Sequence, residues 1–431
     1  IIGRSAGAAI TTGNGENVLV GNNAAVSLTT GQQNIAIGDN SLAAQTTVNG
    51  NVAVGDNAMA ANTSGDSNVG VGLAALSANT SGGANTGIGA NALDANTTAS
   101  NNTGVGYLAL SANTTAGENT AVGYNSLGAN TTGASNTAVG SASLAAVTTG
   151  SQNTSVGKNS SDAITTGANN TAIGDGSLSA TTTADDNTAL GTQTLKLNTT
   201  GGQNVAVGRG ALYANTTASN ETGVGYNAMT ANTTGNANTG IGAYALAANT
   251  TAGNNTALGV LALTAATTGA DNTGIGKDAL KAVTTGTRNT AVGWAAAPAV
   301  VSANDNTAMG WSALYATTGS ENTAIGSYAM QSNTSGAGNT ALGDHALFAN
   351  TTASNNTAVG FLALTAATTG GDNTGIGKNA LAGNTTGTQN VAVGSGALQT
   401  NTTTSELTAV GHEAANAADG ALGICAIGYK A

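Results

Sequence analysis

The sequence predicts an all-β fold: a parallel β-solenoid (β-roll) of about 25 turns of 17 residues. Three observations carry this. One pentapeptide, Asn-Thr-Ala-Val-Gly, recurs along the whole chain. The apolar alternation inside each repeat has a period of two rather than 3.6. Turn chemistry rich in Gly, Asn and Thr separates the alternating stretches.

The repeat comes first because equal turns stacked on one another decide the architecture. Its glycine falls at Gly21, Gly38, Gly55, Gly72, Gly89 and Gly106 and continues in steps of 17 to Gly310; one step of 16 then reaches Gly326, and the rhythm resumes to Gly411 and Gly428. The residue before each repeat glycine is Val, Ile, Leu or Met, as at Val20, Ile37, Leu190 and Met309. Asn stands four residues before it in nearly every turn, with Glu221 and Leu407 as exceptions, and Leu or Met stands four after it in most, with Ala25, Ser161, Ala297 and Ala415 as departures. Position 103 is Thr, but Val at the equivalent Val52, Val69 and Val205. With Val105 it marks one face of a short strand, and Gly104, or Ala in other turns, marks the opposite face. Leu110 and Ala112 against Ala109 and Ser111 predict a second short strand. Stacking then places Val on Val, Leu on Leu and Asn on Asn, with asparagine amides bonding along the stack. About 25 turns at about 4.8 Å give a rod on the order of 120 Å long.

Such a coil offers only three or four inward aliphatic side chains, a thin core for the entropy of ordering every residue. A strand face made almost entirely of Ala and Gly predicts close approach of another backbone, and hence several chains packed together, most simply a homotrimer. The whole chain, 1–431, reads as one repeat solenoid with an irregular turn near 294–322. There Ala-Pro-Ala-Val-Val-Ser-Ala replaces the usual turn and holds the single proline, Pro298. A bulge, kink or contact patch is expected at that place. Neither end carries a polar cap, so flanking domains or further subunits are expected to cover both.

Composition narrows the function classes. Only 7% of residues are charged, 40% are hydrophobic, and the net charge is −11. That excludes a basic stripe for nucleic acid, and no apolar run is long enough to span a membrane. The one cysteine, Cys425, allows no internal disulfide and reads as a core filler in place of the usual Thr. No Ser/His/Asp or Cys/His constellation emerges, and His345 and His412 lie about four turns apart. No enzyme activity, cofactor or metal is therefore expected. The Gly-x-Gly strings lack the Lys and strand–helix context of a phosphate loop.

Asn119-Thr120-Ala121-Val122-Gly123-Tyr124-Asn125-Ser126-Leu127 resembles the repeat shafts of bacteriophage tail fibres. The pentapeptides also resemble the Asn-Ser-Val-Ala-Ile-Gly coils in the heads of trimeric autotransporter adhesins. The resemblance covers the whole chain. It implies a trimeric, extracellular β-roll projecting from a virion or cell and contacting a host surface. A self-assembling matrix or surface filament and an ice- or glycan-binding solenoid are the alternatives. In each, the principal partner is a further copy of the chain, a host-surface glycan or ice.

Two residue sets are candidate sites. All aromatics fall within five residues after a repeat glycine; Tyr107, Tyr124, Tyr226, Trp294, Trp311 and Phe361 directly follow it, and so form one edge. Trp294 and Trp311, one turn apart, should stack. This edge suits either packing between chains or a platform for sugar rings. The triplets at Asn113, Asn130, Asn215 and Asn232 fit the N-glycosylation sequon, although Asn and Thr are also natural turn residues. Adjacent threonines there point opposite ways, unlike the flat Thr-x-Thr face an ice-binding solenoid needs.

Overall fold

A computed structural model describes residues 1–11, 16–417, 420 and 423–431. The fold is all-β: 25 three-residue strands, every recorded pairing parallel, wound into a β-solenoid of about 24 turns with no helix among the described residues. The chain divides into two compact units, Ile1–Ser219 and Asn220–Ala431. The first runs from strand Val18–Val20 to strand Val205–Val207, and the second from Thr222–Val224 to Cys425–Ile427. Within each unit successive strands pair in strict register: Thr103 lies on Thr120, Gly104 on Ala121 and Val105 on Val122.

The alternation in the strand is present, but its faces are opposite to those expected. The central Ala or Gly points into the coil: Ala121, Ala138 and Ala172 are fully buried. The flanking Thr and Val or Ile point outward and are half-buried or exposed. The reason is steric. A 17-residue coil is so narrow that one Leu per turn fills it, and that Leu lies against the strand. A Cβ at Gly104 would sit 3.3 Å from Leu93 Cγ and 3.2 Å from the Ala109 carbonyl oxygen. The small face therefore accommodates the chain's own leucine and calls for no second chain.

The second strand expected at Leu110–Ala112 is absent, and 107–112 is a continuous turn. Leu108 and Leu110 have φ of 58° and 54°, in the left-handed region. An extended segment cannot contain two such residues. The pattern repeats in nearly every coil, with a third left-handed residue just before the buried Asn, such as Glu118 at φ 63°. Each costs of the order of 1–2 kcal/mol. Bonds between coils offset part of that cost: the Leu110 N–H donates to the Ser126 carbonyl at 3.0 Å, and that of Ala112 to Gly128 at 3.1 Å. At the repeat glycine the demand is absolute. Gly72 has φ +136°, and a Cβ there would lie 2.5 Å from the Gly89 carbonyl oxygen.

In turns that carry the Asn-Thr-Thr segment, two asparagines close the coil. Asn68 and Asn79 both donate their side-chain amides to the Gly82 carbonyl, at 2.9 Å each. Asn68 Oδ1 accepts from the Asn85 N–H at 2.9 Å, and Asn79 Oδ1 from Asn96 Nδ2 at 2.9 Å. Both asparagine columns are fully buried. Where the sequence interrupts the second column, a carbonyl is left over: Val147 follows Asn130, whose buried Oδ1 has no partner.

The irregular turn keeps this scheme. Pro298 stands at a position whose N–H makes no bond between coils in neighbouring turns, and its carbonyl still accepts from Ala282 at 3.0 Å. The 16-residue step loses its residue inside the Asn-Thr-Thr-Gly turn, where Thr317 Oγ1 takes over the asparagine's role and accepts from Gly319 N and Asn333 Nδ2, both at 3.1 Å. The next strand stays in register, Thr307 on Thr323.

Two predictions follow from the backbone and the ladder. Ala84 is exposed with φ 55°. Ala84→Gly is expected to stabilise its coil by up to about 1 kcal/mol, and Ala84→Val to destabilise it by roughly as much, because only glycine is strain-free there. Hydrogen exchange of the surrounding amides measures both. Glu221 occupies an asparagine position, buried, and accepts from Asn238 N at 3.3 Å and Nδ2 at 3.4 Å. Desolvation pushes its carboxyl up from 4.5 to about 8, against the smaller lowering by the Asn238 bonds. The folded state thus holds the proton more tightly than the unfolded chain. Stability is complete below about pH 4.5 and falls as pH rises to about 8. At about 1.4 kcal/mol per displaced unit the loss amounts to a few kcal/mol. Glu221→Asn, which restores the ladder residue, should therefore be more protected than the parent above pH 8 and nearly equal to it at pH 4, as read by exchange of the Asn238 amide.

Candidate contact surfaces

Each turn shows solvent three surfaces. The outer sheet face carries two columns. One is threonine, uninterrupted from Thr86 to Thr188 in the first unit and from Thr222 to Thr374 in the second. None of these strand hydroxyls has a hydrogen-bond partner within the protein among the described residues. The parallel column is aliphatic, one residue per turn before each repeat glycine, and includes the exposed Ile88, Ile173 and Leu190 in the first unit and Leu258, Met309, Leu342 and Ile376 in the second. No charged residue stands in either column. Cys425, at the first strand position, is exposed rather than a core filler, because that position points outward.

The second surface is the aromatic edge. Tyr107 and Tyr124 stack at 5.8 Å and 18°, and Tyr226 meets Tyr244 edge-on at 5.3 Å and 78°. Trp294 and Trp311 approach to 5.7 Å with planes tilted by 39°. From Trp311 the contacts continue through Tyr328 at 4.8 Å, His345 at 5.1 Å and Phe348 at 5.0 Å. Phe361 is exposed one turn further on. His345 also pairs through Nδ1 with Asp344 Oδ1 at 2.5 Å. His412 lies 4.0 Å from Glu413 and stacks on Tyr429 at 5.4 Å and 12°.

The third surface is the Asn-Thr-Thr turn, whose three side chains have different roles. Asn113 is buried, and its Nδ2 donates to Asn96 Oδ1 at 3.0 Å and to the Ala116 carbonyl at 2.9 Å. Asn130 repeats the arrangement, Asn215 donates to Asn198 Oδ1 and Ala218, and Asn232 donates to Gly235. All four are fully buried, so a glycan on any of these nitrogens requires the ladder to be broken. The first threonine turns inward along the stack, Thr114 Oγ1 donating to the Thr131 carbonyl at 3.2 Å. The second, Thr115, faces solvent. Nothing in the sequence distinguishes those two threonines; the coil path does.

Ion pairs lie on the surface. Arg288 clasps Asp305 with both nitrogens, Nε to Oδ1 at 2.7 Å and Nη2 to Oδ2 at 2.9 Å, which lowers the carboxyl's pKa. An exposed pair of this kind contributes little to stability. Among the described residues no three His, Cys, Asp or Glu side chains converge on a possible metal position, and no helix is long and apolar enough to cross a membrane. No known family's sequence model matches the chain, and no curated protein matches it in sequence.

Proposed function

We propose that this protein is a non-catalytic, extracellular fibre shaft that assembles with further copies of itself, three in the simplest arrangement, and serves attachment as part of a virion or cell-surface appendage. The observation that carries the reading is the outer sheet face, which offers one outward aliphatic side chain per turn and no charge. Isolated exposed aliphatic residues are ordinary, whereas a continuous apolar column marks a contact surface. A standard interface takes about 800 Å² from each partner, and the twelve or thirteen partly exposed aliphatic side chains of one unit, with the threonines beside them, form a continuous strip that can contribute to one. A second copy repeats the same column at the same strand spacing, so its apolar rungs can meet this one's along the whole face. In this reading the self-contact uses the aliphatic face rather than the Ala/Gly face.

A second reading rests on the neighbouring column. Partnerless threonine hydroxyls beside methyl groups, repeated at strand spacing, form a regular array suited to ordering water, as on an ice-binding face. The two readings differ in one measurement.

Light scattering of the full chain is expected to give a discrete trimer. Ile88→Lys, Val105→Lys and Val122→Lys together should dissociate it while leaving the far-ultraviolet circular dichroism unchanged, because all three side chains point away from the coil. A triple variant that assembles like the parent would sink the proposal. Open-ended polymers from the parent favour a filament, and a stable monomer that depresses the freezing point favours the ice-binding reading.

A further inference from the structure

We propose that the edge from Trp294 to Phe348 is a binding strip for a neutral, linear oligosaccharide lying along the stack of turns. The inference adds a ligand to the attachment reading above, but its geometry lies within a single chain.

Among the described residues this is the one run of more than two rings: Trp294, Trp311, Tyr328, His345 and Phe348, at successive separations of 5.7, 4.8, 5.1 and 5.0 Å. Rings so close cannot lie coplanar, so they lean on one another, with tilts of 33° to 51°. Each covers part of the next and leaves an oblique flank outside; Trp294 and Trp311 remain 49% and 48% exposed. The Tyr107–Tyr124 pair, stacked nearly parallel at 18°, turns its faces inward on itself and ends after two rings.

Three features select the occupant. From Trp294 to His345 the spacing repeats once per turn, close to the advance of one pyranose unit in a β-linked chain, so successive sugars meet successive rings through their C–H faces, with Phe348 beside the last. A carboxylate stands among the rings: Asp344, held by His345 and 45% exposed, can accept from sugar hydroxyls. A dry protein interface would have to bury that charge at a cost, whereas a wet sugar contact does not. Finally, among the described residues Asp344 is the one charged side chain that directly adjoins these rings, and the Lys residues of the same edge position, Lys277 and Lys378, stand one turn before Trp294 and two turns after His345. An anionic glycan would be repelled, and a neutral one would not.

The test uses the full chain in its native assembly with cellohexaose, chitohexaose and mannohexaose as separate probes. Both tryptophans of the chain lie in the strip, so their emission reports on it directly. At least one hexaose is expected to give a saturable blue shift with a dissociation constant in the millimolar range or tighter. By calorimetry, Trp311→Ala and Asp344→Asn should each weaken binding about tenfold or more, while Tyr124→Ala leaves it unchanged. Absence of any shift with all three probes overturns the proposal, as does parental affinity in Trp311→Ala. Sugar binding that persists in the dissociated outer-face variant would support the strip independently of the fibre reading.

Discussion

The structure depends on buried asparagine amides: one column runs through nearly every turn, and in turns with the Asn-Thr-Thr segment a second amide meets the first on one carbonyl oxygen. A coil of 17 residues has a perimeter long enough to need closing and an interior too small to be closed by hydrophobic burial alone. Asn68 and Asn79, converging on Gly82, span that interior. Their oxygens then accept from the next turn, so the bonds that close one coil also tie it to its neighbour. A buried amide left without a partner costs about 1–3 kcal/mol, whereas one in a complete ladder contributes modestly. Stacking therefore makes the core permissible, and an isolated coil would strand its polar atoms. Glu221 is instructive for the same reason: the position accepts a carboxyl, but only by holding its proton well into the neutral range.

With the interior occupied by amides and one leucine, the backbone has to bend sharply around it. Three left-handed residues per turn and a glycine at φ near +136° supply the bends. That route carries strain, and regular bonding between coils offsets it, as with Leu110 to Ser126. It also explains why the Asn-Thr-Thr-Gly turn could lose a residue in the 16-residue step while the strands kept register: Thr317 supplies the acceptor that the ladder requires.

The same narrowness decides what the surface can do. Beyond the buried Leu or Met and an occasional Val or Ile, bulky side chains find no room inside, so the remaining aliphatic residues and the aromatics stand outside in columns at the spacing of the turns. A function built on such a surface is one of extended contact, with another chain, a sugar chain or an ordered solid, because all chemistry on it is periodic. The aromatic edge departs from this uniformity between Trp294 and Phe348, where consecutive turns place rings next to an oriented carboxylate.

The period, the all-β class, the short strand before each repeat glycine, the asparagine ladder and the contact between Trp294 and Trp311 were legible in the sequence by itself, because in a stacked repeat equal spacing along the chain becomes direct contact in space. The direction in which each face points was not. Alternation with a period of two says that Ala121 and Val122 lie on opposite sides, but it is symmetric and does not say which side is inside. The expected second strand failed for a related reason, since Leu110 and Ala112 alternate as a strand would while left-handed φ angles, invisible in residue identity, fold them into turns. Tertiary structure settled both, and for one physical reason: Leu93 already fills the coil against Gly104. That turns the small residues inward and leaves Val105 and its equivalents facing outward.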